Sequence, residues 1–333
     1  MIYLEDDCLE IRFPELHRNA GVSINFQRTL RLPDDGEIHH LPPGLGKFPL
    51  RHIEDFDLGN RNELKKRGGL IMPMFQADAL WMYFDALRET GDEKYPIAIK
   101  IGTGKVCAVS GENWSSNLNR DPQDYVVVPE QPWIDGYNVS KGTVRQFVAA
   151  PLGQGYTAEE QLTGKASVGG IQIQAFPMKR EHYDRINQKV EMSYDACAFD
   201  GGVAAYKPVG LAPGGAMRQE IFDDPYNLEV WDLRKSERCF VNIANADQWM
   251  GITGEEPPIS PFTAHEYTKR GLPWYEYYSG DKVAIDGAKR LGKLKSVRHV
   301  KPNQGGNFWE DDLPVMNPKV TWTNKKNITS GDW

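Results

Sequence analysis

Side chains that could bind a polar ligand are concentrated in the middle of the chain, between residues 145 and 174. Arginine and carboxamide groups grip carboxylates, phosphates or sugars through paired hydrogen bonds. A glutamate is one half of the carboxylate pair that glycosidases use, although the sequence does not show which distant acid would complete the pair. The candidate ligand-binding residues are Arg145, Gln146, Tyr156, Glu160, Gln161 and Gln172.

Arginine and glutamine stand side by side at three places, each inside or beside a predicted strand. These are Gln27-Arg28, Arg145-Gln146 and Arg218-Gln219. If the three strands converge, the pairs would line one binding site for a polar small molecule. The alternative is that each arginine forms a cross-strand pair with an Asp or Glu on a polar sheet face.

The glycines after Pro151 imitate the turn of a dinucleotide-binding site, with Gly153, Gly155 and Ala158 at the expected spacing. The context does not fit, because Pro151 interrupts the strand and no acidic residue stands roughly 20 positions further on to bind a ribose. The sequence instead predicts a β-hairpin over residues 143–176, in which Gly153 and Gly155 adopt positive φ or allow a close approach of the backbone. Glu159 and Glu160 would then point to opposite faces of a strand.

No motif for a metal site, a cofactor or a known catalytic mechanism is present in the chain. The seven histidines lack metal-ligand spacing, and the four cysteines form no Cys-x-x-Cys pair. The chain has no P-loop and no Gly-x-Ser-x-Gly turn. We therefore expect no metal and no cofactor. Whether the protein is an enzyme stays open, since Cys107 or Cys197 could still be a nucleophile.

Composition restricts the range of partners. The net charge of −7 argues against nucleic acid, because phosphate contacts need clustered Lys and Arg. The basic segment Lys289–Lys301 would fit an acidic partner or a phosphate, or else a solvated helix face followed by a strand. No window approaches the roughly 20 apolar residues of a membrane span, and the first residues are acidic. We expect a cytoplasmic protein.

The 32 glycines and 22 prolines of the 333-residue chain favour short strands joined by turns. The fold is predicted to be mainly β, with one or two β-sandwich or jelly-roll-like units and a few short helices. An N-terminal β unit is expected over 1–178 and a C-terminal one with an extended tail over 200–333, joined by 179–199, unless both form one continuous domain. Strands are predicted at Leu9–Phe13, Val22–Leu32, Ile97–Ile101, Tyr125–Val128, Thr143–Ala149, Gly170–Phe176 and Cys239–Ala244.

Two helices are predicted. Apolar residues at helical spacing indicate one over Ala77–Arg88, although its aromatic residues would also suit a strand. Thr263 and Glu266 form a capping box for the other, which Gly271 can close. The aromatic run Trp274–Tyr278 follows it and is either a stacking platform for a sugar or base, or a cover over the core.

Several phrases of the sequence resemble a family of uncharacterised, hypothetical microbial proteins. The resemblance extends over most of the chain, but no activity or ligand is known to us for that family, so it implies no function. The phrases are Gln146-Phe147-Val148-Ala149-Ala150-Pro151-Leu152-Gly153-x-Gly155-Tyr156-Thr157, Asp121-Pro122-Gln123-Asp124-Tyr125, Gln131-Pro132-Trp133-Ile134-Asp135-Gly136 and Gly271-Leu272-Pro273-Trp274-Tyr275.

The sequence thus favours a cytosolic β-sandwich protein that binds a polar small molecule or assembles with itself into a homo-oligomer. One alternative is an enzyme acting on a carbohydrate or another polar small molecule through a site lined by Glu, Arg and Gln. Another is a protein whose β-hairpin inserts into a partner or a membrane. Missing catalytic motifs and the abundance of predicted strands favour the first hypothesis.

Overall fold

The computed structural model is mainly β, as predicted. Nineteen strands and six short α-helices follow one another along its described residues. These residues are 1–58, 62–88, 93–166, 168–187, 209–259, 263–277, 280, 282–300 and 319–322. The strands are β1 (Ile2–Glu5), β2 (Cys8–Arg12), β3 (Gly21–Thr29), β4 (Ile38–His39), β5 (Gly44–Lys47), β6 (Arg51–His52), β7 (Leu70–Pro73), β8 (Ala79–Ala86), β9 (Ile97–Thr103), β10 (Val106–Cys107), β11 (Val126–Val128), β12 (Trp133–Ile134), β13 (Gly136–Ser140), β14 (Thr143–Pro151), β15 (Ile171–Pro177), β16 (Val209–Arg218), β17 (Glu237–Ala244), β18 (Trp274–Tyr277) and β19 (Lys319–Trp322). The helices are α1 (Asn62–Arg67), α2 (Ala158–Thr163), α3 (Arg180–Asn187), α4 (Ala246–Thr253), α5 (Ala264–Lys269) and α6 (Val297–Val300).

Two large sheets form the body of the molecule in a sandwich-like arrangement. The first has ten strands in the order β1-β2-β3-β8-β14-β16-β4, with β5, β12 and β13 paired to β3, β8 and β14. The second has seven strands in the order β10-β9-β15-β17-β7-β6, with β11 on β9. Apolar side chains of both sheets share one core. The seven strands predicted from the sequence all lie in these sheets.

The alternating pattern of each strand decides which side chains enter the core. On β15, Ile171 and Ile173 are buried in the shared core. The intervening Gln172 and Gln174 are also buried, under the segment that follows β9, where their amides bond the carbonyls of Gly104 and Ser116. Both faces of β15 are therefore covered.

Both sheets combine strands from either side of the predicted domain boundary. Strand β16 pairs with β14, and β17 pairs with β15, so chain beyond residue 200 completes sheets that begin before residue 178. Helix α3 occupies part of the predicted connection, and residues 188–199 lie outside the described residues. Each sheet therefore contains strands from both sides of the predicted boundary.

The predicted helix over Ala77–Arg88 is wrong, because most of that segment is strand β8. Leu80, Met82 and Phe84 are buried, whereas Trp81 and Tyr83 between them are half-exposed. Apolar residues lie on both faces of β8, so their spacing in the sequence fits a helix as well as the alternation of a strand. Long-range pairing with β3 and β14 selects the strand. The capping box of the second predicted helix is confirmed in α5.

The predicted β-hairpin over 143–176 is also wrong. Strand β14 belongs to the first sheet and β15 to the second, so they do not pair with each other. Helix α2 lies between them, begins after Thr157 and ends at Gly164. The positive φ predicted for Gly153 and Gly155 is confirmed. This segment connects the two sheets. It is not a hairpin that could insert into a partner or a membrane.

Helices of the described residues are short, and none of them is both long and apolar enough to cross a membrane.

Candidate functional site

The Arg145-Gln146 pair of β14 is engaged within the protein. Gln146 is 1% exposed, and its amide donates to the carbonyl of Leu30 while accepting from the backbone N–H of Leu32. Arg145 lies 3.4 Å from the Asp34 carboxylate and donates to the carbonyl of Gly214. The side chains of this pair therefore tie β14 to the chain around Leu30–Asp34 and to β16.

Glu160 organises the glycine turn that precedes α2. Its Oε1 accepts hydrogen bonds from the backbone N–H groups of Gly153 at 2.8 Å and Gly155 at 2.9 Å. Its Oε2 accepts from the backbone and hydroxyl of Thr157, which completes a capping box. The anion that these glycine amides bind is thus supplied by the chain itself.

Replacing Glu160 with alanine should lower the free energy of unfolding by roughly 2–3 kcal/mol, because charge-assisted bonds to the turn and the cap are lost together. Glu266→Ala is the matched control, since Glu266 completes the same capping box in α5, with Thr263, but bonds no glycine turn. Urea unfolding of both variants measures the difference. Equal losses in the two variants would contradict this role of Glu160.

The three remaining predicted residues all follow the glycine turn in the sequence. Tyr156 is buried in a small apolar cluster. Gln161 makes two bonds to the backbone of Lys295, accepting from its N–H and donating to its carbonyl, and so fixes part of the basic segment against α2. Gln172 lies in the second sheet and donates to Gly104. The structure groups Tyr156, Glu160 and Gln161 around α2, apart from Arg145, Gln146 and Gln172.

A different group of residues forms a cleft on the outer face of the first sheet. Trp81 and Tyr83 alternate with core residues of β8 and therefore point away from the core. Trp133 of β12 is directly opposite Tyr83 in the antiparallel register and lies on the same face. Together, Trp81, Tyr83 and Trp133 form a ring-lined surface, here called the aromatic platform.

Strand β18 forms the facing wall of the cleft. Tyr275 pairs with Leu41 through two backbone hydrogen bonds of 2.9 and 3.0 Å, which hold β18 over the sheet. The Tyr277 ring meets Trp133 edge-on, with centroids 4.6 Å apart. Trp274 is buried in the core. Trp274 therefore covers the core, as one of the two interpretations of the aromatic run predicts. Tyr275 and Tyr277 line the cleft, and a stacking role for them stays a prediction. Tyr278 lies outside the described residues.

The cleft consists of two adjoining cavities of about 530 and 430 Å³, which share Leu41, Trp133, Tyr275 and Tyr277. The first contains the aromatic platform and Asp135. The second is more polar and is lined by the third predicted Arg-Gln pair. Its polar lining comprises His40, Gln131, Thr143, Arg218, Gln219, Glu220, Glu276 and Lys282. None of the six candidate residues from the sequence lines either cavity.

Charges in the second cavity are partly compensated. Arg218 lies 3.3 Å from the carboxylate of Glu276. The ammonium group of Lys282 lies over the Phe222 ring at 4.9 Å, and burial lowers its pKa. The Gln219 amide is directed to the chain beside Trp133 and Asp135, accepting from the Asp135 N–H. This part of the cleft offers both donors and acceptors to a ligand.

Asp135 stands two residues after Trp133, between β12 and β13, and lines the cavity of the aromatic platform. It is 4% exposed, and its Oδ2 accepts a hydrogen bond of 2.6 Å from the Trp133 indole N–H. Loss of hydration on burial raises the pKa of Asp135 to about 7. A carboxyl group with such a pKa at the wall of a cavity is a recurrent feature of functional sites.

The sequence held a signal for this cleft that composition alone does not reveal. Trp81-x-Tyr83 places two cleft residues on one face of a strand, and Asp135 follows Trp133 at the same spacing of two. Their convergence depends on β12 pairing with β8.

The structure gives less support to a metal site or to a cysteine nucleophile. Among the residues that the structure describes, no group of three or more His, Cys, Asp or Glu side chains is placed to hold a metal ion. Burial raises the pKa of the Cys107 thiol, which is the opposite of activation. Cys197 lies outside the described residues. Comparison of the chain with family models, with curated proteins and with solved structures finds no match.

Proposed function

We propose that the protein binds carbohydrate in the cleft of the first sheet. The aromatic platform is the observation that carries the proposal. A sugar ring has an apolar C–H face and polar hydroxyl edges, so it is complementary to aromatic faces bordered by hydrogen-bonding groups. The adjoining polar cavity supplies such groups through Arg218, Gln219 and Glu276. Each cavity also has the volume that small-molecule sites have.

The charge of the cleft favours a sugar over a nucleotide. Bases stack on aromatic rings as sugars do, but a nucleic-acid site also needs cations along the phosphates. Here Glu220 and Glu276 accompany Arg218 and Lys282 in the polar cavity, and the whole chain has a net charge of −7. A ligand without phosphates fits this balance better.

The test is the affinity of the purified protein for a panel of soluble oligosaccharides, measured by calorimetry. For a sugar that binds, Trp81→Ala should raise Kd by roughly 5- to 150-fold, which corresponds to the 1–3 kcal/mol of one stacking contact. Tyr3→Ala is the control, because Tyr3 is an aromatic residue of the same sheet that is 45% exposed on edge strand β1. It should leave Kd unchanged.

Two results would contradict the proposal. One is the absence of binding across oligosaccharides of neutral, amino and acidic sugars. The other is binding that Trp81→Ala and Tyr3→Ala weaken equally, which would place the ligand elsewhere or show a general loss of structure.

Hydrolysis of a glycosidic bond is a second candidate function. It is favoured by three carboxyl groups that line the adjoining cavities, Asp135, Glu220 and Glu276. Glycosidases use one carboxyl as a proton donor and another as base or nucleophile. Release of new reducing ends from a bound oligosaccharide would support this function. A ligand that stays intact after long incubation would show that the protein binds it without hydrolysing it.

Self-association into a homo-oligomer and a cytoplasmic location stay predictions. Light scattering coupled to size-exclusion chromatography measures the first directly. A defined mass above that of one chain would support assembly.

A further inference from the structure

Asp135 is held in place from two sides of its backbone. Its N–H donates to the Gln219 side chain at 2.9 Å, and its carbonyl accepts from the Phe147 N–H at 3.0 Å. The Trp133 indole fixes one carboxyl oxygen, Oδ2, at 2.6 Å. The direction of the carboxyl group is therefore determined before any ligand arrives.

The second oxygen, Oδ1, has no hydrogen-bond partner within the described part of the chain. No Lys, Arg or His of those residues makes an ion pair with this carboxyl group either. Yet the side chain lines the cavity of the aromatic platform. An ionised carboxylate in this place would be a buried charge with a single neutral donor, which is costly. A protonated carboxyl group avoids that cost and gains an O–H donor.

We propose that Asp135 contacts the bound carbohydrate as a neutral carboxylic acid, donating a hydrogen bond from Oδ1 to an oxygen of the sugar. This inference rests on the proposed function and specifies the ligand further. The recognised group is an acceptor, such as a hydroxyl, ring or acetamido oxygen, placed at the edge of a ring that lies on the platform. Burial, which raises the pKa of Asp135 to about 7, keeps the proton on most of these carboxyl groups below neutral pH.

The titration of Asp135 can be distinguished from that of the titratable side chains around it. Tyr83, Tyr275 and Tyr277 share its cavity, and burial raises the pKa values of Tyr83 and Tyr277. The phenols of Tyr83 and Tyr277 are thus neutral between pH 5.5 and 8.5. The polar cavity beyond Trp133 contains the other titratable side chains, which are His40, Arg218, Glu220, Glu276 and Lys282. Of these, His40 is of the type that ordinarily changes charge near neutral pH.

The experiment measures Kd for a bound neutral oligosaccharide from pH 5.5 to 8.5, in the wild type and in Asp135→Asn. If binding needs the protonated acid, wild-type Kd should rise about tenfold per pH unit above the pKa of Asp135. The asparagine variant keeps a donor that does not titrate, so its Kd should stay constant. Asp135→Ala lacks the donor, and its Kd should be high and constant.

Infrared difference spectra between the wild type and Asp135→Asn give a second readout. We expect the stretching band of a protonated carboxyl group at pH 5.5, and a shift of that band to lower frequency when the sugar binds. A pH profile shared by wild type and Asp135→Asn would assign the titration to His40 or another group and overturn the inference. So would constant wild-type affinity, or a band that the sugar does not shift. Failure of every oligosaccharide to bind at any pH would instead overturn the proposed function.

Discussion

Replacing Lys100 with methionine is expected to lower the free energy of unfolding by roughly 3–5 kcal/mol. Lys100 of β9 is 1% exposed, and its ammonium group donates to Asp124, the Ser115 hydroxyl and the Asn117 carbonyl at 2.6–2.9 Å. Methionine keeps the apolar stem but leaves the buried Asp124 carboxylate without its cation. An uncompensated buried charge accounts for most of the expected loss.

The position of this ion pair explains why its loss should affect the whole sheet. The pair fastens the segment after β10 onto the outer face of the second sheet, where Asp124 also accepts from the Asn119 N–H. The Trp114 ring packs there too, 5.5 Å from the ammonium group and over Gly102, where a Cβ atom would meet the ring at 2.5 Å. Without the pair, this cover separates from β9 more easily.

Urea unfolding at pH 8 and pH 5 tests the prediction. The deficit of Lys100→Met should be smaller at pH 5, because only a proton can neutralise the remaining carboxylate. The double variant Lys100→Met/Asp124→Leu is the control, since an apolar pair often replaces a buried ion pair at little cost. A single variant within about 1 kcal/mol of the wild type, or a double variant less stable than the single, would contradict this account.

The strands of the core could be predicted because their local pattern and their long-range environment agree. The alternation around Ile171 and Ile173, for example, suits one buried face, and the structure places that face in the core. For β8 the local pattern and the long-range environment favour different structures. Its apolar residues fit a helix locally, and long-range pairing with β3 and β14 decides for a strand.

Helix α2 was predictable from a signal that the sequence does contain. Thr157 and Glu160 have the same capping-box spacing as Thr263 and Glu266, and Gly164 follows at the position of a C-cap. The glycines on both sides favoured a turn instead. Hydrophobic periodicity does not correct this interpretation, because a helix of six residues has too few apolar positions to show helical spacing.

The cleft shows the limit of motif reading. The six polar candidates were chosen for side-chain chemistry, and in the structure most of these groups bond the protein's own backbone, as Gln146 and Glu160 do. Buried polar groups near glycine turns commonly satisfy nearby amides. The residues that line the cavity of the aromatic platform come from four separate segments, and their convergence depends on strand pairings that no local pattern encodes.

Asp135 should make the protein less stable as the pH rises, and this is the second large effect that we expect. Burial raises the folded-state pKa of Asp135 from 3.8 to about 7, so between these values the folded state binds more protons than the unfolded state. Linkage then requires stability to fall as the pH rises through this window, and the full penalty is present above pH 7. At about 1.4 kcal/mol per pH unit, it amounts to about 4 kcal/mol.

The measurement compares urea unfolding of the wild type and Asp135→Asn at pH 5 and pH 8. Asparagine does not titrate, so its stability relative to the wild type should increase by roughly 2–3 kcal/mol between these two pH values. Asp85→Asn is the control, because Asp85 is a half-exposed carboxylate of β8, paired with Lys94, in the same sheet. If the Asp135→Asn and wild-type stabilities change in parallel with pH, Asp135 is ionised at pH 5 as well as at pH 8. A neutral donor at the cleft wall would then be ruled out, even if sugars bind.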